Sequence, residues 1–170
     1  MLSLEELAEN PDIKNEYKKT VLLSMFKKVC IKMKNDESFE KSIRNLFRES
    51  YDKVLTTKII IERSFDISLS EEESKLLSTW FEANFKKQNK RNPKFTSIEV
   101  KKRLFTLQNG MCALCGEELG NEMSKIHVDH IIPFILVGDE LKDNYQDLCN
   151  ICNECKSAKI DFIFKKMINI

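Results

Sequence analysis

The 170-residue chain carries 28 Lys and Arg against 27 Asp and Glu, so its formal net charge is +1. This balance excludes a globally basic surface, and a hydrophobic content of 42 % argues against wholesale disorder. Only four Gly and three Pro are present, which disfavours an all-β sandwich or barrel and favours helices.

Membrane and secretory signals are not evident in the sequence. No apolar run approaches the roughly 18 residues of a transmembrane helix. The first ten residues are acidic and lack the apolar stretch of a secretory signal. We therefore expect a cytoplasmic protein with no membrane partner. Five of its six cysteines lie between residues 112 and 155, and clustered cysteines in a reducing compartment more often hold metal or do chemistry than form disulfides.

The first half of the chain shows helical patterns and little chemistry. Apolar residues spaced by three and four predict a helix over residues 15–34. Asp36 is a plausible N-cap for a second helical pattern, and the β-branched run 56–61 could extend a helix or form a short strand. Ser70 followed by three glutamates predicts a capping box. We expect Trp80, in the apolar stripe that follows, to pack in a core.

A strongly basic segment follows at residues 86–103, which contain eight Lys and Arg against the single acid Glu99. Such a stripe fits a polyanion partner, but a solvated linker would have the same composition. Asn92 and Pro93 break the preceding helical pattern. We therefore predict two domains, a helical one at residues 1–95 with a role in partner binding, dimerisation or DNA binding, and a second at residues 96–170.

Two Cys-x2-Cys pairs lie in the last third, and 33 residues separate them. They are Cys112 with Cys115 and Cys149 with Cys152, and a predicted helix over residues 97–109 precedes them. Four thiolates suit a closed tetrahedral zinc site, whereas a catalytic dithiol is the alternative. Cys155 is a spare that could replace Cys152 as a ligand or remain a free thiol.

Both histidines of the chain lie between these pairs, in the segment 127–132, whose alternation predicts a strand. In a regular strand Asp129 and His130 point to opposite faces. A bulge or a strand end would therefore be needed for both side chains to reach one site.

The spacing of several motifs then points to a family. Asp-His-Ile-x-Pro stands at residues 129–133, Asn-x-Gln-x-Leu-Cys at 144–149, and Cys-Asn-x-x-Lys at 152–156. With the first Cys pair, residues 101–161 resemble the HNH endonucleases of the ββα-metal class in their zinc-bound form. The helical patterns of residues 1–95 and the resemblance of the last third together predict an α+β fold, mostly α, in which a helical N-terminal domain is followed by a small zinc-stabilised ββα-metal nuclease domain. The resemblance also implies a metal-dependent DNA endonuclease.

The resemblance assigns roles to single residues. His130 matches the general base that activates water, and Asn144 matches the residue that braces the loop and holds the base. Asp129 and Asn153 match the ligands of a catalytic Mg²⁺ or Mn²⁺, while zinc is structural. His127 is less clear and could contact phosphate, join the metal site or orient the strand. The candidate nucleic-acid-binding residues are Lys156, His127, Lys101, Lys102, Arg103, Lys94 and Arg91.

The chain departs from the family pattern after Pro133, where residues 134–138 are apolar instead of a polar turn with two glycines. This stretch could pack against the N-terminal helices or against a partner chain. We expect a role in restriction or phage defence, with target recognition supplied by the helical domain, a homodimer or a separate partner protein. The alternatives are a non-catalytic zinc module that binds nucleic acid or protein, and an RNA-directed or toxin-like nuclease.

Overall fold

The computed structural model describes residues 9–156, and its first part is a bundle of four helices. These helices are α1 (Pro11–Asn35), α2 (Glu37–Glu49), α3 (Lys53–Phe65) and α4 (Glu71–Lys86). The predicted helix over residues 15–34 is confirmed as α1. Within the described range, no helix is both long and apolar enough to cross a membrane.

Side-chain caps set where these helices begin. Asp36 accepts a hydrogen bond from the Phe39 amide at 2.9 Å, which confirms it as the N-cap of α2. Ser70 and Glu73 form the predicted capping box at the start of α4. The β-branched run 56–61 lies inside α3 and is helical. Asp52 caps that helix through the Leu55 amide, so a new helix starts there and no strand forms.

Aromatic side chains fill the centre of the bundle. Phe26 and Phe81 meet edge to face with ring centroids 5.0 Å apart, and Phe47 meets Phe85 in the same way. Trp80 is 5 % exposed and lies in this core, as expected from the sequence. The bundle is therefore held by ordinary apolar packing.

The second part of the described chain is a small α+β unit. It contains a short 3-10 turn at Pro93–Thr96, α5 (Ile98–Leu107), a second 3-10 turn at Met123–Lys125, β1 (His127–His130), α6 (Phe134–Val137), β2 (Tyr145–Leu148) and α7 (Asn150–Lys156). The predicted helix over residues 97–109 is confirmed as α5, and the predicted strand as β1. The two strands are antiparallel, with His127 opposite Leu148 and His130 opposite Tyr145. The order of β1, β2 and α7 gives a ββα unit inside a mostly helical chain.

The short helix α6 inserts into the core of the helical bundle. Leu136 and Val137 are buried in that core together with Ile132. The Asn84 side-chain amide, on α4, donates a hydrogen bond to the Leu136 carbonyl at 2.6 Å. Of the two possibilities open for the apolar stretch, packing against the N-terminal helices is the one observed. The bundle core thus extends beyond the predicted domain boundary at residue 95.

Gly138 allows this insertion by ending α6 with a φ of 61°. A Cβ atom at this position would lie 2.7 Å from the Lys87 Cβ, a separation that real side chains do not tolerate. Glycine is needed here both for the positive φ and for the close approach of Lys87, which caps the end of α4.

We expect Leu136→Ala to lower the free energy of unfolding by about 2–4 kcal/mol, because it leaves a cavity in the shared core. Leu136 is 7 % exposed, whereas its neighbour Ile135 is 62 % exposed. Ile135→Ala is therefore the matched control, and we expect a change within about 0.5 kcal/mol. Urea denaturation of the zinc-loaded protein measures both values. Equal effects of the two substitutions would contradict the insertion of α6.

Candidate active site and metal centre

Four cysteine side chains converge at the junction of β2, α7 and the turn after α5. The sulfur atoms of Cys112, Cys115, Cys149 and Cys152 all lie within 4.8 Å of one another. The turn that carries the first pair is closed by an isolated bridge between Met111 and Glu118, and the second pair flanks the start of α7. The cysteines predicted to form one site are therefore brought together, and Cys155, which is exposed, is not among them.

The donor set fits a zinc ion. Tetrahedral zinc with Zn–S bonds of about 2.3 Å places its sulfurs roughly 3.8 Å apart, and Cys115 Sγ lies 3.9 Å from Cys149 Sγ. The Cys149 amide also donates to Cys112 Sγ at 3.4 Å. Burial alone would raise the pKa of the Cys112 thiol, but hydrogen bonds from backbone N–H groups outweigh it and lower the pKa to about 7. Burial raises the pKa of the Cys115 and Cys152 thiols, so the four cysteines could hold a zinc ion if the ion itself drives their deprotonation.

Asp129 points from β1 toward helix α7. Its carboxylate accepts a hydrogen bond from the ammonium group of Lys156, which also donates to the His130 carbonyl. Lys156 is only 3 % exposed, so this ammonium is committed to the protein interior. Asn153 stands three residues earlier on α7 and therefore shares the helix face of Lys156. Asp129 and Lys156 thus join β1 to α7.

His130 makes a different set of contacts. Its Nε2 atom lies 2.8 Å from Asp139 Oδ1, which also accepts a hydrogen bond from the Tyr145 hydroxyl at 2.8 Å. The second oxygen, Asp139 Oδ2, accepts from the Asn92 backbone amide at 2.7 Å. The rings of Tyr145 and Phe134 pack against the imidazole at 4.8 and 5.4 Å. His130 is consequently buried, with 4 % of its surface exposed.

The protonation state of this pair follows from its surroundings. Burial lowers the pKa of His130, and the hydrogen bond and charge of Asp139 oppose that shift without cancelling it. Burial raises the pKa of Asp139, but hydrogen bonds from Asn92, His130 and Tyr145 outweigh it, so the pKa falls below its ordinary value. At neutral pH the pair is therefore a neutral imidazole beside a carboxylate.

Asn144 closes the loop between the two strands. Its Oδ1 atom accepts from the Ile132 amide at 2.7 Å, and its Nδ2 atom donates to the Ile132 carbonyl at 2.9 Å. All of these atoms are buried, so each backbone group would lose its partner without Asn144. The side chain thus fixes the backbone two residues after His130.

The side chains of Asp129 and His130 point to opposite faces of the regular strand β1. The Asp129 carboxylate meets Lys156 on α7, while the His130 ring meets Asp139 in the loop before β2. This is the arrangement that strict alternation along β1 predicts. The structure therefore groups Asp129 with α7 and places His130 with a separate set of partners.

Residues 112–169 match a protein-family model described as HNH endonuclease. Over this segment the chain is similar to the HNH endonucleases. The match covers about a third of the chain and includes the four clustered cysteines, both strands and α7. No curated protein and no solved structure matches the chain. The family resemblance seen in the sequence is confirmed for this segment.

The basic residues ahead of the HNH domain differ in how free their side chains are. The Lys101 ammonium group donates a hydrogen bond to the Met123 carbonyl. The Arg91 guanidinium lies over the Phe134 ring, 5.3 Å from its centroid. Lys94, Lys102 and Arg103 are exposed on the surface. Of the predicted nucleic-acid contacts, these last three are the most available to a phosphate backbone. His127 is half-buried at the other end of β1.

Sequence reasoning missed Asp139, Tyr145 and Asn92, which surround His130. Asp139 lies nine residues after His130 in a loop, so no helix or strand period links the two positions. Asn92 contributes a backbone amide, which carries no side-chain signal at all. An ionised carboxylate in a loop beside a catalytic motif was the one signal that could have drawn attention to Asp139.

Proposed function

We propose that the chain is a metal-dependent DNA endonuclease that hydrolyses phosphodiester bonds. The observation that carries this proposal is the pairing of His130, as a neutral imidazole, with the Asp139 carboxylate in a segment that matches the HNH endonucleases. A neutral imidazole is the form that can accept a proton from water, and a carboxylate partner stabilises the imidazolium that results.

The reaction follows from this assignment. His130 takes a proton from a water molecule, and the resulting hydroxide attacks the phosphorus atom in line with the leaving oxygen. The bond between phosphorus and the 3′ oxygen breaks, and the products are a 5′-phosphate and, after protonation, a 3′-hydroxyl. Removal of the water's proton by a positioned base contributes on the order of 100-fold or more to the rate.

Asp129 and Asn153 would hold the catalytic Mg²⁺ or Mn²⁺, since carboxylate and amide oxygens are the ligands these ions prefer. A divalent ion there supplies electrostatic stabilisation of the charge that builds on the phosphate oxygens. The contact between the Lys156 ammonium and the Asp129 carboxylate supports this assignment, because a cation already lies at the proposed position. A divalent ion bound to Asp129 would displace the Lys156 ammonium, which would then be free to contact a phosphate of the DNA.

Zinc, by contrast, has a structural role in this proposal. Four thiolates complete a tetrahedral shell and leave no open position for water or substrate. The site joins the turn after α5 to the start of α7, and so fixes the helix that carries Asn153 and Lys156 against β1.

The burial of His130 sets a requirement on catalysis. With 4 % of its surface exposed, the imidazole meets water only if a covering group such as Phe134 moves away from its ring. We therefore propose that binding of metal and DNA rearranges the end of β1 and brings His130 and Asp129 to one phosphate. Catalytic contacts often tighten only in the substrate complex.

The decisive assay measures cleavage of supercoiled plasmid by the zinc-loaded protein with Mg²⁺ or Mn²⁺ added, and with neither. We expect relaxed or linear DNA only when the divalent ion is present. A single-stranded RNA of matched length tests the RNA-directed alternative. Cleavage of RNA alone would replace DNA as the proposed substrate, and cleavage without added metal would contradict the metal requirement.

A non-catalytic zinc module is the second candidate, and the burial of His130 and the Asp129–Lys156 ion pair favour it. Such a module would bind nucleic acid or a protein without turnover. Tight DNA binding with no cleavage under Mg²⁺, Mn²⁺, Co²⁺ or Ni²⁺ would support it over the nuclease.

Salt dependence should show how the protein holds DNA. We expect the affinity for DNA to fall steeply with salt. In a plot of log K against log salt concentration, the slope should become less negative by about 0.9 for each phosphate contact removed. Lys102→Gln and Arg103→Gln should each make this slope shallower, because both side chains are exposed on α5, ahead of the segment that matches the HNH endonucleases. Lys75→Gln, on α4 and paired with Glu71, is the matched control and should leave the slope unchanged. Fluorescence anisotropy of labelled duplex DNA measures all three.

Restriction or phage defence is the biological role that we propose, in the cytoplasm and with a homodimer or partner protein supplying target recognition. Cells that express the wild-type protein should then yield fewer phage plaques than cells that express His130→Ala. Equal plaque counts across a panel of DNA phages would argue for another setting.

A further inference from the structure

Asp139 stands at the centre of the hydrogen bonds around His130. Its two carboxylate oxygens accept from three donors, which are His130 Nε2, the Tyr145 hydroxyl and the Asn92 backbone amide. The carboxylate lies on the loop between α6 and β2 and is itself mostly buried, with 12 % of the side chain exposed. Its position is therefore fixed by groups from three separate segments of the chain.

The acceptor-only chemistry of an ionised carboxylate determines which imidazole nitrogen carries the proton. Because Asp139 Oδ1 cannot donate, the 2.8 Å contact requires a hydrogen on His130 Nε2. The neutral ring then keeps its lone pair on Nδ1. Within residues 9–156 no hydrogen bond reaches Nδ1, so this atom is the one left to accept a proton.

We propose that Asp139 is the positioning residue that fixes the tautomer and the ring orientation of His130. This inference rests on the proposed function, in which His130 is the general base. A carboxylate behind an imidazole keeps the ring in the correct tautomer and stabilises the imidazolium formed when the base takes its proton.

Tyr145 and Asn92 make Asp139 rigid enough for this task. The Tyr145 hydroxyl shares Oδ1 with His130, and the Tyr145 ring is stacked on Phe95 with centroids 5.0 Å apart and planes 12° apart. The Asn92 amide holds Oδ2 from the connector between the helical bundle and α5. Rotation of the carboxylate away from His130 would break both of these hydrogen bonds. The connector thus contributes directly to the order of the proposed base.

The test reads the tautomer by ¹⁵N NMR of the zinc-loaded full chain at alkaline pH. His127→Gln assigns the two ring systems, since the chain contains only two histidines. In the wild type we expect His130 to carry its proton on Nε2 alone. A wild-type ring protonated on Nδ1 would overturn the proposal without any activity measurement.

Asp139→Asn and Asp139→Ala then test the dependence on this carboxylate. We expect both to give a mixture of tautomers, and to lower kcat by about 10-fold or more with little change in the Kd for DNA. Glu140→Gln, at the exposed neighbouring position, is the matched control and should match the wild type in both readouts. A single Nε2–H tautomer and full kcat in both Asp139 variants would contradict the proposal.

The two readouts separate failure of this inference from failure of the nuclease assignment. If the wild type does not cleave DNA, the nuclease proposal fails and the tautomer measurement still decides whether Asp139 positions the ring. If Asp139→Ala does not fold, the tautomer of His130 in the isosteric Asp139→Asn variant and in the wild type still tests whether Asp139 positions the ring.

Discussion

His130→Ala should cleave supercoiled plasmid at least about 100-fold more slowly than the wild type in the presence of Mg²⁺ or Mn²⁺. The substitution removes the nitrogen that accepts the proton from water. The other histidine of the chain, His127, lies at the opposite end of β1 and is not a neighbour of Asp139. Initial rates of conversion to nicked and linear plasmid, at a DNA concentration above Kd, measure the chemical step.

The fold and the DNA affinity of this variant need to be shown intact. Thr79→Ala on the exposed side of α4 is the control substitution, because its hydroxyl bonds only to its own helix. We expect the control to keep the wild-type rate, and His130→Ala to keep its zinc content and helical circular dichroism. Undiminished cleavage by a folded His130→Ala protein would contradict the proposed mechanism.

Loss of one zinc ligand should have the largest effect on stability. Cys152→Ser replaces one of the four clustered thiols with a poor zinc ligand. Structural zinc in small domains contributes on the order of 10 kcal/mol of apparent binding free energy that is also folding free energy. We expect the variant to lose its zinc and the ordered structure around α7, while the helical bundle remains folded. Elemental analysis should give about one zinc per chain in the wild type.

Cys155→Ser is the matched control, since Cys155 lies on the same short helix but is exposed and outside the cluster. It should retain its zinc. Thiol titration gives an independent measure, because Cys155 should react quickly while Cys30, whose pKa burial raises to about 12, should react slowly. A chelator should then release the four cluster thiols. Zinc loss in Cys155→Ser but not in Cys152→Ser would show that the spare cysteine is the true ligand.

Local and short-range features of this chain were predictable from the sequence. The N-cap at Asp36 and the capping box at Ser70 depend on atoms a few residues apart, and both are observed. The cluster of four cysteines was predictable over a longer range because two Cys-x2-Cys pairs supply a complete shell for one ion. In each case the residue type and the spacing were enough to predict which groups would interact.

Contacts set by packing between distant segments were not predictable. Nothing in the sequence links Asp139 to Asn92, because one partner is a loop carboxylate and the other a backbone amide. The position of the Lys156 ammonium group was not predictable either, because it is buried against the Asp129 carboxylate. The direction of such a flexible side chain depends on the surface that α7 faces.

The insertion of α6 into the helical bundle has a consequence for any attempt to separate the two parts of this chain. Here Ile132, Leu136 and Val137 complete the core of the N-terminal helices. Excision at the connector would leave these apolar side chains facing water, and would also remove the Asn92 amide from Asp139. We therefore expect each part, expressed alone, to be less stable than it is in the full chain.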